Sequence, residues 1–349
     1  MEDISISIIP KLLGHEEQEK NFLHSFRNNR LPHAFLVTGQ KGIGKCGLAV
    51  RIAIFLLSDA NAYNNSENLY FEQQSSLVKQ IKNNSHPDFS YLYFGMNSLT
   101  KPYKPMNVIS VEHIRQAMNL NNHTTISNTS RVIIIDDAET MNRQAQNALL
   151  KTLEEPNPNT YIILCTSKPN SLLPTIRSRC CSYNLKPIND KDMQEYLEQK
   201  YADLSSDELK AYIKLANGSI GVVDNLIKNK ALNIYNIIVD AIKNGNEQIY
   251  TLINAISGIK NKNNFQLFLL LFDNFTYRCF KANSSNLGFE CIIKGEEQAY
   301  EKIKQKYNGL KMIDWINQAK QNINDVQAPV YLDLKSVILT LFLSLQENN

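Results

Sequence analysis

Residues Gly39-Gln-Lys-Gly42-Ile-Gly44-Lys45-Cys46 follow a short apolar run, Ala34–Thr38, and open a stretch with helical spacing. Glycines placed this way let backbone N–H groups wrap a β-phosphate at a helix N-terminus, and Lys45 then reaches the β- and γ-phosphates. The pattern G-x-x-x-x-G-K-[ST] is met everywhere except at its last position, where Cys46 stands in place of a hydroxyl that would touch Mg²⁺. A thiol is a soft donor and suits that hard ion poorly. Read without a ligand, the same residues are a Gly-rich strand-to-helix turn that keeps its shape.

The partner chemistry lies at Ile133-Ile-Ile-Asp136-Asp137. An aspartate closing a buried strand can hold a metal's shell, and the next acidic residue can orient an attacking water. Asp137 is one methylene shorter than glutamate, and a base misplaced by about 1 Å can cost ~10²-fold in rate. The structural alternative is that the two carboxylates begin a turn compatible with a helix dipole.

These residues need strands to carry them, and the first half of the chain supplies them. Ala34–Thr38, Arg131–Asp136, Tyr161–Cys165 and, more weakly, Cys181–Leu185 are apolar runs without alternation, as expected of parallel strands buried on both faces. Between them lie helical patterns, Leu48, Ile52, Phe55, Leu56 and Ala145, Ala148, Leu149, Leu153, the second closed by Glu155-Pro156. Strands alternating with helices predict a doubly wound parallel sheet. Residues 58–107, rich in Asn, Ser, Gln and Tyr, predict surface loops and one helix near Leu77–Ile81.

After Pro187 the pattern turns helical. Asn189 or Asp190 can cap a helix through Met193–Leu197, and Ser205-Ser-Asp-Glu208 has the form of a capping box. Asn217-Gly218 supplies a left-handed stop, and Val223, Leu226 and Ile227 mark a third helix. Apolar stripes at Ile234–Ile242, Phe265–Phe280 and Leu334–Leu345 then continue to the end. The division predicted is an α/β domain at 1–185, a three-helix lid at 186–232 and an all-helical domain at 233–349.

Composition agrees with globular domains: 349 residues, 43% hydrophobic and 20% charged, with a net charge of +3. That balance excludes a polycationic nucleic-acid coat while allowing a local basic patch. The six cysteines form no C-x-x-C pair, so neither a zinc ribbon nor a disulfide framework is signalled. No apolar stretch approaches the ~20 residues that span a bilayer, and no secretory leader is evident. A soluble, cytoplasmic protein is expected.

Several further motifs, in order and without a gap over residues 12 to about 190, carry a family likeness. Leu31-Pro-His33-Ala, the Gly39–Lys45 loop, His86-Pro-Asp88, Val111-Glu-His-Ile-Arg115, Asn147-Ala-Leu-Leu-Lys-Thr-Leu-Glu-Glu-Pro156 and Arg177-Ser-Arg179-Cys180 together resemble the bacterial clamp-loader AAA+ subunits of DNA polymerase III. The resemblance implies an AAA+ P-loop core, a small helical lid and a helical collar through which subunits assemble. It implies a degenerate nucleotide site at Gly39, Gly42, Gly44, Lys45, Cys46, Asp136 and Asp137, with Thr166 near the family's sensor-1 position. By the same likeness, Arg179 is the trans arginine finger that reaches the γ-phosphate of ATP on a neighbouring subunit.

Motor members of the family carry Ser or Thr at Cys46, Glu at Asp137, and a sensor arginine where Gly218-Ser-Ile is followed by Gly221. Three departures at three catalytic positions imply an accessory, ATPase-silent subunit within a DNA-directed DNA polymerase holoenzyme, needing no cofactor of its own. ATP with Mg²⁺ fits its site poorly. The partners implied are the loader's ATPase subunits and delta subunit, and through the complex the sliding clamp and primer–template DNA, with no membrane. Family ATPase subunits commonly insert a four-cysteine zinc module after the P-loop helix; no cysteine lies between Cys46 and Cys165, so no zinc is expected. The alternative is an active motor, a clamp-loader ATPase or branch-migration-type helicase, which would need all three departures to be compensated. A small-molecule kinase is a third reading, but the sequence offers no acceptor site with a general base.

Overall fold

The computed structural model describes residues 8, 12–58, 67–93, 108–119, 130–256, 262–284, 288–307, 309–327 and 334–345. The chain forms two compact units, Met1–Asp192 with Ser219–Gly221, and Met193–Gly218 with Val222–Asn349.

The first unit is built on five strands: β1 (Ala34–Thr38), β2 (Phe89–Leu92), β3 (Arg131–Ile135), β4 (Thr160–Thr166) and β5 (Cys181–Asn184). They pair in the order β2-β3-β4-β1-β5, every pair parallel. Helices α1 (Glu16–Arg27), α2 (Lys45–Leu57), α3 (Ser76–Lys82), α4 (Val111–Asn119), α5 (Arg143–Glu154) and α6 (Pro174–Arg177) flank the sheet. Successive strand side chains point to opposite faces, so unbroken apolar runs are what two covered faces require. Ala34, Leu36, Ile133, Ile135, Ile162 and Leu164 share one core with Ile114, Leu149, Leu153 and Ile176. Opposite them, Phe35 meets Phe22 of α1 at 5.8 Å between ring centroids, and Phe22 meets Phe55 of α2 at 5.7 Å. Helix α2 is buried almost all round, as a helix without a polar face must be.

The helix expected near Leu77–Ile81 is α3, capped by the Ser75 hydroxyl accepting from the Val78 N–H. The loops expected around it need one correction, because β2 lies within that segment. Four residues are too few to display a period, and β2 gains its stability from pairing, Phe89↔Val132 through Leu92↔Ile135, with all four residues buried. Strand formation of this kind follows from neighbours more than from local preference. The rest of that expectation, at 59–66 and 94–107, lies outside the described residues.

Two motif histidines and an aspartate tie this unit together. His33 Nε2 donates to the Leu153 carbonyl at 2.9 Å, joining the entrance of β1 to the end of α5. Asp88 pairs with Arg131 at 3.1 Å, and the Asp88 N–H donates to His86 Nδ1. A deeper pair forms between Glu19 of α1 and Arg51 of α2, both about 3% exposed. Arg51 also donates to the Leu69 carbonyl and covers the Phe71 ring, while the Leu69 N–H donates to Glu19 Oε2 at 3.1 Å.

The second unit is helical. The sequence-predicted capping box is present: the Ser205 hydroxyl accepts from the Glu208 N–H, and the Glu208 carboxylate accepts from the Ser205 N–H, opening α8 (Ser206–Ala216). Asn217 ends it in the left-handed region, φ 48°. Asn189 caps α7 (Asp190–Lys200) by accepting from the Asp192 N–H at 2.9 Å. Helix α9 spans Ile220–Lys228. The three apolar stripes become α10 (Ala231–Asn244), α12 (Lys262–Ser284) and α15 (Leu334–Leu343), with α11 (Asn246–Ile256), α13 (Glu296–Lys306) and α14 (Leu310–Gln327) between them. Tyr235, Phe268, Phe272, Phe275 and Phe342 are fully buried. Inside this core Glu296 accepts from Arg278, Tyr235 and the Ile292 N–H. On the opposite side of α12, Leu270, Tyr277 and Phe280 are exposed, Tyr277 to 58%. Among the described residues no helix is long and apolar enough to cross a membrane.

Because Arg51 is nearly inaccessible and faces a buried carboxylate, Arg51→Ala leaves the Glu19 charge buried without a counter-ion, with the Leu69 N–H still donating to it. Loss of one member of such a pair costs about 3–5 kcal/mol. Urea unfolding followed by circular dichroism should show a loss of that size, and a change under 1 kcal/mol would place the pair among ordinary surface ion pairs.

Candidate functional site

Register brings the strand ends level. Thr38 pairs with Thr166, Leu36 with Leu164, and Ile135 with Leu164, so the loops leaving β1, β3 and β4 meet at the carboxyl edge of the sheet, where ligands of open α/β sheets bind. The Gly39–Gly44 loop leaves β1 and enters α2 through Gly44, at φ 112°, a conformation that L side chains rarely adopt.

Five consecutive carbonyls of this loop are engaged from within the first unit. Lys45 Nζ donates to the carbonyls of Gly39 and Gln40 at 3.0 and 2.9 Å. The Ser219 hydroxyl donates to the Lys41 carbonyl at 2.9 Å, and the Gly221 N–H to the Gly42 carbonyl at 2.9 Å. His15 Nε2 donates to the Ile43 carbonyl at 3.0 Å. Burial holds the His15 imidazole below its ordinary pKa, so it stays neutral. The lysine that would meet phosphate is thus turned onto its own loop, 8% exposed.

Gly221 has a steric reason of its own. A Cβ there would lie 2.9 Å from the Gly42 carbonyl oxygen, so this position admits the backbone approach and leaves no room for a side chain, arginine included.

Asp136 and Asp137 follow β3. Asp137 sits at φ 49°, and its carboxyl is raised above the usual range by burial, then by the charges of Asp136 and Glu139; Lys41 and Lys45 pull the other way. Asp136 accepts from the Asp137 N–H at 3.0 Å through Oδ1 and from the Tyr91 hydroxyl at 2.9 Å through Oδ2. The same hydroxyl lies 3.0 Å from Cys46 Sγ. Burial first, and then the Asp136 charge, push the Cys46 thiol up to about 12, so it is a neutral S–H group at physiological pH. This set offers a hard cation a protonated thiol and a carboxylate whose two oxygens are already occupied by donors. It does not fit Mg²⁺.

Thr166, fully buried at the end of β4, accepts from the Lys168 N–H at 3.0 Å. Beside it Ser167 donates to Glu139 Oε1 through its hydroxyl at 2.5 Å. Burial works against ionisation of Glu139, yet the hydrogen bonds from Ser167 and Thr166 outweigh it and hold the carboxyl below its ordinary value. Of the residues expected at the site, Gly39, Gly42, Gly44, Lys45, Cys46, Asp136, Asp137 and Thr166 are brought to one edge. Arg179 is held elsewhere, just beyond α6, where it pairs with Glu154 at 2.7 Å and donates to the Thr175 carbonyl at 3.0 Å. Both members of that pair are open to water, 36% and 50% exposed.

Sequence reasoning missed Tyr91, Glu139, His15 and Ser219. The aromatic run Phe89-Ser-Tyr-Leu-Tyr93 was a signal for β2; nothing in the sequence placed its third residue against Asp136.

Strand order, loop and flanking helices define an α/β protein with a P-loop-type strand-to-helix turn at the carboxyl edge of a parallel sheet. The family model described as DNA polymerase III, delta subunit, matches residues 14–189. The chain belongs to that family. It is 30% identical over 187 residues to the DNA polymerase III subunit delta' of Pseudomonas aeruginosa, covering 54% of this chain and 53% of that protein. Similarity to the delta' subunit of Escherichia coli is also 30%, over 56% of this chain and 55% of the relative. The match therefore spans about half the length of these relatives. A gamma subunit from Buchnera aphidicola subsp. Schizaphis graminum is 29% identical over 80% of this chain and 72% of its own length.

Two outcomes follow from this geometry. Gly221→Ala should lower stability by about 1–3 kcal/mol through overpacking against Gly42, despite the ~1 kcal/mol that alanine gains over glycine in a helix; thermal melts measure the balance. Iodoacetamide at pH 8 should modify the exposed Cys181 and leave Cys46 unreacted. Peptide mass spectrometry reads both sites, and rapid alkylation of Cys46 would mean that its thiolate is accessible.

Proposed function

We propose that this chain is a delta-prime-type accessory subunit of the bacterial DNA polymerase III clamp loader. It assists ATP-driven loading of the sliding clamp onto primed DNA, hydrolyses no ATP itself and supplies Arg179 to a neighbour's site. The observation that carries this reading is the contrast between two places on the first unit. The chain's own loop is closed on Lys45, with Cys46 and Asp136 joined through Tyr91. Arg179, by contrast, stands at the surface in an exposed ion pair, of a kind typically worth ~0.2–1 kcal/mol. A guanidinium held that loosely can exchange Glu154 for a phosphate oxygen at little cost.

In this reading the partners are the loader's ATPase subunits and delta subunit, with clamp and primer–template DNA engaged through the complex in the cytoplasm. The lid at 186–232 and collar at 233–349 would be the units of assembly. The exposed Leu270, Tyr277 and Phe280 on α12 support a partner-facing surface there, since apolar groups gathered on one helix face mark contact sites.

The test is clamp- and primed-DNA-stimulated ATP hydrolysis by the reconstituted loader, wild type against Arg179→Ala. An arginine finger is worth ~10³–10⁵ at the site it serves, so turnover at that site should vanish while the others continue, giving a large partial drop in an intact assembly. An unchanged rate removes the finger. A complex that fails to assemble makes Arg179 structural.

The motor reading draws on the gamma relative, which matches more of the chain than the delta' relatives do. ATP turnover by the isolated chain would favour it.

A further inference from the structure

The hydroxyl of Tyr91 stands 3.0 Å from Cys46 Sγ and 2.9 Å from Asp136 Oδ2. Those two positions are the pair that P-loop proteins use, as hydroxyl and carboxylate, to hold Mg²⁺. The ion takes oxygen ligands at about 2.0–2.1 Å in a near-octahedral shell, so both groups would have to lie close around one point. Here a phenol oxygen is within hydrogen-bond distance of both. It donates to the carboxylate, giving Asp136 Oδ2 the positive partner it would otherwise find in a cation, and the Asp137 N–H does the same for Oδ1.

The hydroxyl is held there by the fold. Tyr91 is 8% exposed, pairs in register with Ile134, and donates its N–H to Asn84 Oδ1 at 3.2 Å. Its ring lies against Tyr93 at 5.4 Å between centroids. Removing the hydroxyl from the space would mean turning a buried ring on a strand whose other side chains are packed.

We propose that Tyr91 occupies the metal position of this P-loop, so that any nucleotide polyphosphate the loop accepts binds without a divalent cation, and that Tyr91 rather than Cys46 is the principal block. The charge of the phosphates would then be met by Lys45, Lys41 and loop N–H groups alone. A serine at position 46 restores the missing hydroxyl but leaves the phenol in place. This inference deepens the reading of the chain's own site as silent. Its readout is metal dependence of binding by the isolated chain, so its failure is separable from any result for Arg179 in the assembly.

Calorimetric titration of the full chain with ATP, in excess Mg²⁺ and in excess EDTA, tests it with wild type, Cys46→Ser, Tyr91→Phe and the double variant. Wild type and Cys46→Ser should bind alike in the two buffers, or not at all. The double variant should bind at least ~10-fold more tightly with Mg²⁺ than without, and Tyr91→Phe alone should gain a smaller part of that preference. Magnesium-dependent binding by wild type or by Cys46→Ser overturns the proposal. So does a double variant that melts like wild type yet shows no magnesium preference; should it unfold, Tyr91→Phe is held to the same criterion.

Discussion

Parallel pairing of β1 with β4 and of β4 with β3 sets Thr38 beside Thr166 and Ile135 beside Leu164, and the chemistry of the first unit hangs on that register. In a sheet covered on both faces, a shift of one residue would exchange Ala34, Leu36 and Ile133 with Phe35, Val37 and Ile134, putting the Phe35 ring on the face where Ala34 packs. Helix burial therefore fixes the strands, and the strands fix the level at which three loops emerge. No loop residue needs to find its neighbours by itself.

The polar contacts divide by burial into two kinds. Glu19 with Arg51, Asp88 with Arg131 and Glu296 with Arg278 are enclosed, and each ties together segments distant in sequence. Arg179 with Glu154 and Lys214 with Glu290 lie in water, where screening and side-chain entropy leave little net gain. The first kind keeps the architecture. The second is free to be remade, and in the first unit it includes the arginine that the family likeness picks out.

Much of this could be read from the sequence. Runs such as Val132–Ile135 and Ile162–Cys165 carry no alternation because both faces are covered, and that pattern is local. Capping at Ser205, the stop at Asn217 and the Gly39–Lys45 loop are likewise written within a few consecutive residues. What escaped were relations across distance. Tyr91 reaches Cys46 and Asp136, each 45 residues away, and Ser219 reaches Lys41 across 178. β2 itself depends on β3 for its existence. Gly221 was legible only as a missing arginine; that its lack of a side chain lets one backbone touch another at Gly42 required the fold.

Tyr91 lies on the edge strand β2, yet its hydroxyl joins the first turn of α2 to the residue that follows β3. Residues that share one hydrogen-bond network do not contribute additively to stability. The side chains at 46, 91 and 136 therefore form one energetic unit, and substituting any of them changes what the other two are worth.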